Sequence, residues 1–130
     1  MILPDTSIWI ELLNGRLAKE IAMDDMLLRM VTCGPIVQEV IQGLRGGSER
    51  DSFRLAFLAI PCLSNPLPLH TFLAAAEIYA QGRRRGYTIR ASADCLIAAI
   101  AIENHIPVWH RDRDFAVIAE YTDLIAVERF

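Results

Sequence analysis

Four short apolar runs along the chain predict buried β-strands. They cover residues 1–3, 31–33, 106–109 and 124–127, and each is followed by polar or turn-forming residues. Pro4 has no N–H group to donate to a sheet, so the first strand is expected to end there. Residues 60–69 contain three prolines and predict irregular chain or a short strand.

Apolar positions at helical spacing predict α-helices between these strands. Residues 95–102 are apolar without interruption, which indicates a buried helix, and Ser92 is its predicted N-cap. Residues 110–115 are predicted to form a loop. The other predicted helices are residues 6–13, 17–30, a helix that starts at Pro35 and ends before Gly46, 48–58, 69–85, and a short helix from 115 to about 121.

This alternation of strands and helices predicts an α/β fold with a mainly parallel central sheet. No internal repeat, low-complexity tract or linker interrupts the 130 residues, so we expect one domain over residues 1–130. In open parallel sheets, ligands bind outside the carboxyl ends of the strands. Functional side chains are therefore expected at that edge.

Acidic residues stand where strands give way to helices. Asp5 follows the first strand and Asp112 follows the strand that ends at Trp109. Glu39 and Asp94 lie near the starts of their helices. All four are expected to reach the same edge of the sheet. Taken singly, each has an ordinary alternative, because Asp is a frequent helix cap and Glu a frequent surface residue near a helix N-terminus.

Composition indicates a globular protein with a partner. Hydrophobic residues make up 53% of the chain, and the mean hydropathy of +0.29 is high for a soluble monomer. A second copy or another protein is expected to cover some apolar surface. Cys33, Cys62 and Cys95 are odd in number and lack C-x-x-C spacing, so they predict reduced core thiols in a cytoplasmic protein. The N-terminus shows no signal-peptide pattern and no membrane segment is expected.

The basic residues are almost all arginine. The net charge of −3 argues against a general polyanion binder, yet Lys19 is the only lysine among 13 basic residues. Arginine suits phosphate because its planar group donates two hydrogen bonds at once. The alternative is an ordinary solvated helix end before Gly86. The candidate phosphate-binding residues are Arg83, Arg84, Arg85, Arg90, Arg111 and Arg113.

Several carboxylates at one edge point to a divalent cation. Close carboxylates repel one another, so they must take up protons or share a cation. A set of oxygen ligands suits Mg²⁺ or Mn²⁺ better than zinc, and His70, His105 and His110 show no metal-ligand spacing. Such an ion is suited to phosphodiester hydrolysis, in which it activates a water and stabilises charge on the phosphate oxygens.

Four segments of the chain contain the acids in a characteristic order and spacing. They are D-T-S from Asp5, E-V-I-Q-G-L from Glu39, D-C-L-I-A-A from Asp94 and R-D-R-D-F from Arg111. These segments resemble the motifs of PIN-domain proteins, and more narrowly those of the VapC ribonuclease toxins of prokaryotic toxin–antitoxin pairs. The resemblance covers essentially the whole chain. His110 departs from the small hydroxyl residue that often precedes the last motif.

The resemblance implies a PIN-like three-layer fold and a metal-dependent endoribonuclease that cleaves tRNA, rRNA or mRNA and leaves a 5′-phosphate. Asp5, Glu39, Asp94 and Asp112 match the catalytic acidic quartet, which holds one or two Mg²⁺ or Mn²⁺ ions. Asp114 is a further metal ligand that replaces or assists Asp112, and Thr6 or Ser7 supports the site. The resemblance also implies a VapB-type antitoxin, a homodimer, and contact with DNA only through the antitoxin complex.

Two other classes of function stay open. One is a catalytically silent module of the same fold that binds RNA or protein. The other is a different Mg²⁺-dependent phosphohydrolase, such as a phosphatase with Asp5 as nucleophile. That chemistry usually needs a second acid two residues later, where this chain has Ser7.

Overall fold

Short parallel strands form the centre of the fold. The structure is a computed structural model that describes residues 1–14, 25 and 27–129. Within these residues the strands are β1 (Leu3–Pro4), β2 (Thr32–Cys33), β3 (Cys62–Leu63), β4 (Val108–Trp109) and β5 (Ala126–Val127).

The described strands form a three-stranded sheet in the order β1-β4-β5 and a two-stranded sheet of β2 and β3, and every pairing is parallel. A single parallel bridge between Ile2, just before β1, and Met30, just before β2, connects the two sheets. Two main-chain hydrogen bonds of Ile2 support this bridge, one to the Arg29 carbonyl at 2.8 Å and one from the Val31 N–H at 2.9 Å. The predicted α/β class with a mainly parallel sheet is confirmed.

Helices connect the strands and carry most of the core. The described helices are α1 (Thr6–Leu13), α2 (Gly34–Gln42), α3 (Ser48–Leu58), α4 (Leu69–Arg84), α5 (Ser92–Asn104) and α6 (Arg113–Tyr121). Helix α5 is the most buried, as its unbroken apolar run predicted. Its small residues Ala98, Ala99 and Ala101 are almost fully buried, and α4 packs closely against this helix.

Several predicted boundaries were wrong. Ser92 is the first residue of α5 instead of its N-cap; Ala91 takes the cap position without a side-chain hydrogen bond. Residues 113–115 are helical instead of loop, because Asp112 caps α6 and starts it there.

Cys62 is exposed on β3 and does not belong to the core, unlike Cys33 and Cys95.

The helix predicted over residues 17–30 falls mostly outside the described residues. At its predicted end, Met30 takes part in the bridge to β1 and is buried. That segment therefore supplies an extended residue to the sheet where helical spacing alone had predicted helix.

Helix α3 is attached to α1 by a cluster of three aromatic rings. Phe57 is 1% exposed and meets Trp9 of α1 edge to face, with ring centroids 4.9 Å apart. Phe53 stacks on Phe57 at 5.6 Å and also meets Trp9 edge to face. Helix α1 begins beside Asp5, so this cluster stabilises the helix that carries a candidate site residue at its start.

Replacement of Phe57 by Ala is expected to lower the free energy of unfolding by about 3–5 kcal/mol, because it leaves a cavity between α1 and α3. Leu55 lies on the same helix with 75% of its surface exposed, so Leu55→Ala should change stability by no more than about 0.5 kcal/mol. Urea unfolding followed by circular dichroism measures both. Equal losses from the two variants would contradict this view of the core.

Candidate metal centre and active site

Asp5 lies at the carboxyl end of β1 and caps α1. Its main-chain N–H donates to the Trp109 carbonyl at 2.9 Å, which fixes it beside β4. Its Oδ1 accepts hydrogen bonds from the Ile8 N–H at 3.3 Å and from the Ser7 hydroxyl. Asp5 is 5% exposed. The capping role that was an alternative to a metal role is thus present, and it leaves Oδ2 for another partner.

Asp112 and Asp114 lie in the turn after β4 that begins α6. Asp112 caps this helix, and its Oδ1 accepts from the Asp114 N–H at 2.9 Å. Asp114 is 1% exposed, and its Oδ2 accepts from the Arg90 main-chain N–H at 3.1 Å. Both carboxylates are therefore oriented by main-chain N–H groups.

Asp94 lies in the first turn of α5 and faces these two acids. One carboxylate oxygen from each of Asp94, Asp112 and Asp114 lies within 4.8 Å of the other two. Asp94 is 9% exposed, and its Oδ2 has no hydrogen-bond partner among the described residues. A buried carboxylate oxygen without a partner is unusual in a folded protein, and this makes it a candidate ligand atom for an ion or a water.

Asp5 and Glu39 lie further from the centre of this cluster. Glu39 is half-buried on α2, and its charge, like that of Asp5, acts on Asp94. Neither belongs to the set of oxygens within 4.8 Å. The structure therefore places all five predicted acids around one edge of the sheet, with three of them in close proximity.

Burial, with a contribution from neighbouring acids, raises the pKa values of Asp94 and Asp5 at this edge. The pKa of Asp94 rises to about 7, mainly because of burial and then because of the charges of Asp112, Asp114, Asp5 and Glu39. Burial raises the pKa of Asp5 to about 6, although the hydrogen bonds from Ser7 and Ile8 and the charge of His110 act in the opposite direction.

These residues fit a hard divalent cation. All the candidate ligand atoms are carboxylate oxygens, and the Oδ2 of Asp94 has no partner among the described residues. Burial first, and then the charges of the neighbouring acids, raise the pKa of Asp94. Mg²⁺ and Mn²⁺ take such oxygen ligands. Asp94, Asp112 and Asp114 are the nearest candidates to hold the ion, and Asp5 and Glu39 surround them.

Ser7 connects two parts of the site. Its hydroxyl donates to Asp5 Oδ1 and accepts from the Arg111 N–H at 3.2 Å, so it links the start of α1 to the turn after β4. Thr6 was the other predicted supporting residue. Its Oγ1 is buried without a hydrogen-bond partner in the part of the chain that the structure describes.

The candidate phosphate-binding arginines have several different surroundings. Arg83 lies over the ring of Tyr79 and Arg85 over that of Tyr121, at 5.8 and 5.6 Å from the ring centroids. Arg113 is exposed. The others pair with acids: Arg84 with Glu77 at 2.8 Å, Arg111 with Glu11 at 3.5 Å, and Arg90 with Asp112 at 3.2 Å and Asp114 at 3.7 Å.

Sequence reasoning missed two neighbours of the acids. Arg90 was grouped with the phosphate-binding arginines, whereas the structure pairs it with the acids. His110 was interpreted as structural; it is 1% exposed, and its charge acts on Asp5. Arg90 lies four residues before Asp94, and His110 lies two residues before Asp112. Their closeness to predicted acids in the sequence was the signal that could have identified them.

An open groove of about 1080 Å³ begins beside the acids. It runs between α2, α4 and α5, with Glu39 and Arg90 in its polar part and Phe72, Tyr79 and Leu96 in its apolar part. The acids therefore lie next to a surface that can hold a larger molecule.

A PIN domain family model matches residues 2–121 of the chain. The chain belongs to the PIN domain family. It is 37% identical to the VapC ribonuclease Mb1587 of Mycobacterium bovis, with 97% of each chain covered. Ribonuclease VapC11 of Mycobacterium tuberculosis shows the same identity and coverage. The predicted resemblance to VapC ribonucleases is therefore confirmed.

Solved structures share the fold of this PIN domain. The VapBC2 structure from Rickettsia felis, bound to a promoter DNA fragment, matches with a TM-score of 0.71, at 17% identity over 97% of both chains. FitAcB from Neisseria gonorrhoeae matches with a TM-score of 0.65, at 22% identity over 98% of this chain and 97% of that chain. At sequence identities of 17% and 22%, this structural similarity establishes a shared fold.

The helices of this PIN domain are too short or too polar to cross a bilayer, as far as the described residues show.

The metal-free PIN domain should lose stability as the pH rises. The folded-state pKa of Asp94 is about 7 against an ordinary value of 3.8, so between these pH values the folded state binds more protons than the unfolded state. Ionisation of Asp94 should therefore destabilise the fold by on the order of 2 kcal/mol by pH 8. In EDTA, Asp94→Asn should be more stable than the wild type at pH 8 and should show a shallower decline from pH 5.

Thermal unfolding in EDTA across this pH range measures the effect. Asp123 is an exposed acid outside the cluster, so Asp123→Asn should keep the wild-type slope. Saturating Mg²⁺ should restore stability to the wild type at pH 8 and have little effect on Asp94→Asn. A wild type whose stability does not change between pH 5 and 8 would show that the carboxylate cluster is not repulsive.

Proposed function

We propose that this PIN domain is a metal-dependent endoribonuclease that hydrolyses phosphodiester bonds in RNA. The observation that carries the proposal is the convergence of Asp94, Asp112 and Asp114 at the carboxyl edge of the sheet, with one buried oxygen unpartnered among the described residues. Asp5 and Glu39 complete a set of five acids around this edge. Asp5 and Asp112 also cap helices, but capping alone does not require five acids at one edge, because buried carboxylates destabilise a fold unless they are compensated.

The acids divide into ligands and residues that orient them. Asp94, Asp112 and Asp114, with Asp5 and Glu39 around them, would hold one or two Mg²⁺ or Mn²⁺ ions. When bound, the ion supplies an activated water and stabilises charge on the scissile phosphate. The Ser7 hydroxyl connects Asp5 to the turn after β4, and the N–H group of Asp114 orients Asp112. No protein nucleophile is required, and the expected products carry a 5′-phosphate and a 3′-hydroxyl.

RNA is the proposed substrate because the curated relatives at 37% identity are ribonucleases. A flexible single strand or loop can bring its backbone into an open edge site, whereas a regular duplex keeps its phosphates on a stiff helix. The arginines Arg83, Arg84, Arg85, Arg111 and Arg113 would contact the flanking phosphates. Residues 1–130 would act as a single nuclease domain.

A protein antitoxin and a second copy of the chain are the proposed partners. Among the structures that share this fold, VapBC-5 from Mycobacterium tuberculosis is a member of the VapBC family of toxin–antitoxin systems. FitAB and VapBC2 from Rickettsia felis are bound to DNA fragments. The groove beside Glu39 and the exposed Leu69, Phe72 and Leu73 of α4 offer apolar area for such contacts.

Contact with DNA would come through the antitoxin. The free thiols Cys33, Cys62 and Cys95 support a cytoplasmic location as part of the proposal.

RNA cleavage should require both the metal ion and the acids. Purified protein without antitoxin, incubated with total cellular RNA and Mg²⁺ or Mn²⁺, should give discrete fragments with 5′-phosphate ends. EDTA should abolish cleavage, and Asp5→Asn or Asp94→Asn should lower its rate by about 10²-fold or more, because each removes a charge from the candidate ligand set. Sequencing of the 5′ ends would identify the RNA and the site.

Asp123→Asn is the matched control, because it changes the net charge by the same amount outside the cluster. It should cleave RNA at the wild-type rate. Undiminished cleavage by both Asp5→Asn and Asp94→Asn would refute the assignment of the site. A folded, metal-binding protein that cuts no RNA would instead be a binding module. Release of phosphate from a small phosphoester without RNA cleavage would indicate a phosphohydrolase.

The arginine run 83–85 should contribute to RNA affinity through phosphate contacts. Replacement of all three by Gln should weaken binding of a single-stranded RNA to the Asp94→Asn protein. It should also lower the slope of log affinity against log salt by about 2, since each lost phosphate contact removes about 0.7. Filter binding at several salt concentrations measures the slope. A triple Lys variant keeps the charge and should keep the slope; an unchanged slope in the Gln variant would indicate a solvated helix end.

A further inference from the structure

We propose that Arg90 is a built-in counter-cation of the metal centre, which holds Asp112 and Asp114 in the metal-free protein and competes with the divalent ion for them. The inference rests on the proposed function, because it assumes that these acids bind a metal. It assigns Arg90 a positioning role toward the acids in place of the phosphate contact that the sequence predicted.

The contacts of Arg90 reach two of the three acids of the cluster. Its Nη2 donates to Asp112 Oδ1 at 3.2 Å, and its Nε lies 3.7 Å from Asp114 Oδ2. Asp112 Oδ1 also accepts the Asp114 N–H at 2.9 Å, and Asp114 Oδ2 also accepts the Arg90 N–H at 3.1 Å. Asp112 Oδ1 therefore has two donors already, and Asp114 Oδ2 has one donor and an ion-pair contact with the guanidinium. A divalent ion that used these oxygens would compete with the guanidinium.

The main chain of Arg90 is held independently of its side chain. Its N–H group bonds Asp114, and the preceding residue, Ile89, is 4% exposed and packed in the core. The side chain is 64% exposed. The guanidinium can therefore move into solvent when an ion takes its place, while the backbone stays attached to Asp114. Removal of the side chain also leaves this main-chain bond intact.

The positive charge of Arg90 determines whether its removal tightens or weakens metal binding. Asp94, the third acid of the cluster, has an oxygen without a partner among the described residues, so Arg90 compensates one side of the cluster only. A positive charge beside the ligands weakens their attraction for a divalent cation. Because Arg90 is largely exposed, solvent screens this effect, and its removal should tighten metal binding by about three- to tenfold.

If Arg90 anchored the acids but did not compete with the ion, its removal would have the opposite effect on metal affinity. If Arg90 served only to hold Asp112 and Asp114 in the geometry that the ion needs, its removal would loosen both ligands and weaken metal binding. Both roles predict a less stable metal-free protein. The sign of the change in metal affinity therefore separates them.

The test is calorimetric titration of Mn²⁺ into the wild type and Arg90→Gln, together with thermal unfolding in EDTA. Arg90→Gln should unfold at a lower temperature in EDTA, bind Mn²⁺ about three- to tenfold more tightly, and gain more in melting temperature from the ion than the wild type does. Arg90→Lys keeps the charge and should bind Mn²⁺ within about twofold of the wild type. Unchanged or weaker binding by Arg90→Gln would overturn the proposal.

Arg84→Gln is the matched control. Arg84 is 63% exposed and pairs with one carboxylate, that of Glu77, so its replacement removes the same charge with the same exposure away from the acids. Its Mn²⁺ affinity should equal that of the wild type, and an equal tightening would show only an effect of net charge and refute the specific role of Arg90.

Asp94→Asn separates this inference from the proposed function. Metal binding that Asp94→Asn abolishes and Arg90→Gln leaves unchanged would reject the role of Arg90 alone. Absence of Mn²⁺ binding from the folded wild type would reject the metal centre and the role of Arg90 together.

Discussion

The carboxylates of Asp94, Asp112 and Asp114 repel one another at the carboxyl edge of the sheet, where the burial of Asp94 and Asp114 limits screening by water. One oxygen from each lies within 4.8 Å of the others, and the pKa of Asp94 is about 7 as a result of burial and of its acidic neighbours. Such a cluster destabilises a folded chain unless a cation or a set of oriented donors offsets it. The surrounding elements supply several such donors.

Three helices begin at this edge, and each begins with an acid. Asp5 caps α1, Asp112 caps α6, and Asp94 lies in the first turn of α5. Helix N-termini favour negative charge, because their free N–H groups and the helix dipole point toward it. Parallel strands put these starts on one side of the sheet, so the topology that assembles the acids also stabilises them. Hence helix capping and metal binding are compatible uses of the same carboxylates.

The secondary-structure elements were predicted well where the spacing of apolar residues and the positions of polar residues indicate the same element. The bounds of α1 and the buried nature of α5 follow from apolar spacing, and the junction positions of Asp5 and Asp112 follow from the strands before them. Prediction from the sequence failed where a side-chain contact decides the structure, either by capping a helix locally or by pairing residues that are far apart in the chain. The start of α6 depends on the cap from Asp112, and the pairing of Arg90 with Asp112 and Asp114 spans more than twenty residues. Spacing along one strand or helix contains no information about such contacts.

The groove links the acids to the apolar surface of α4. Glu39 and Arg90 line its polar part, and both act on the cluster, Glu39 through its charge on Asp94 and Arg90 through direct contacts. A molecule seated in the groove therefore meets groups whose positions set the charge around the acids. Burying the Arg90 guanidinium against the cluster would strengthen its pairing, because removal of water lowers the local dielectric constant. Drawing it away would expose the acids to a cation. With the role proposed for Arg90, occupation of the groove would therefore change the affinity of the acids for a metal ion through this shared group.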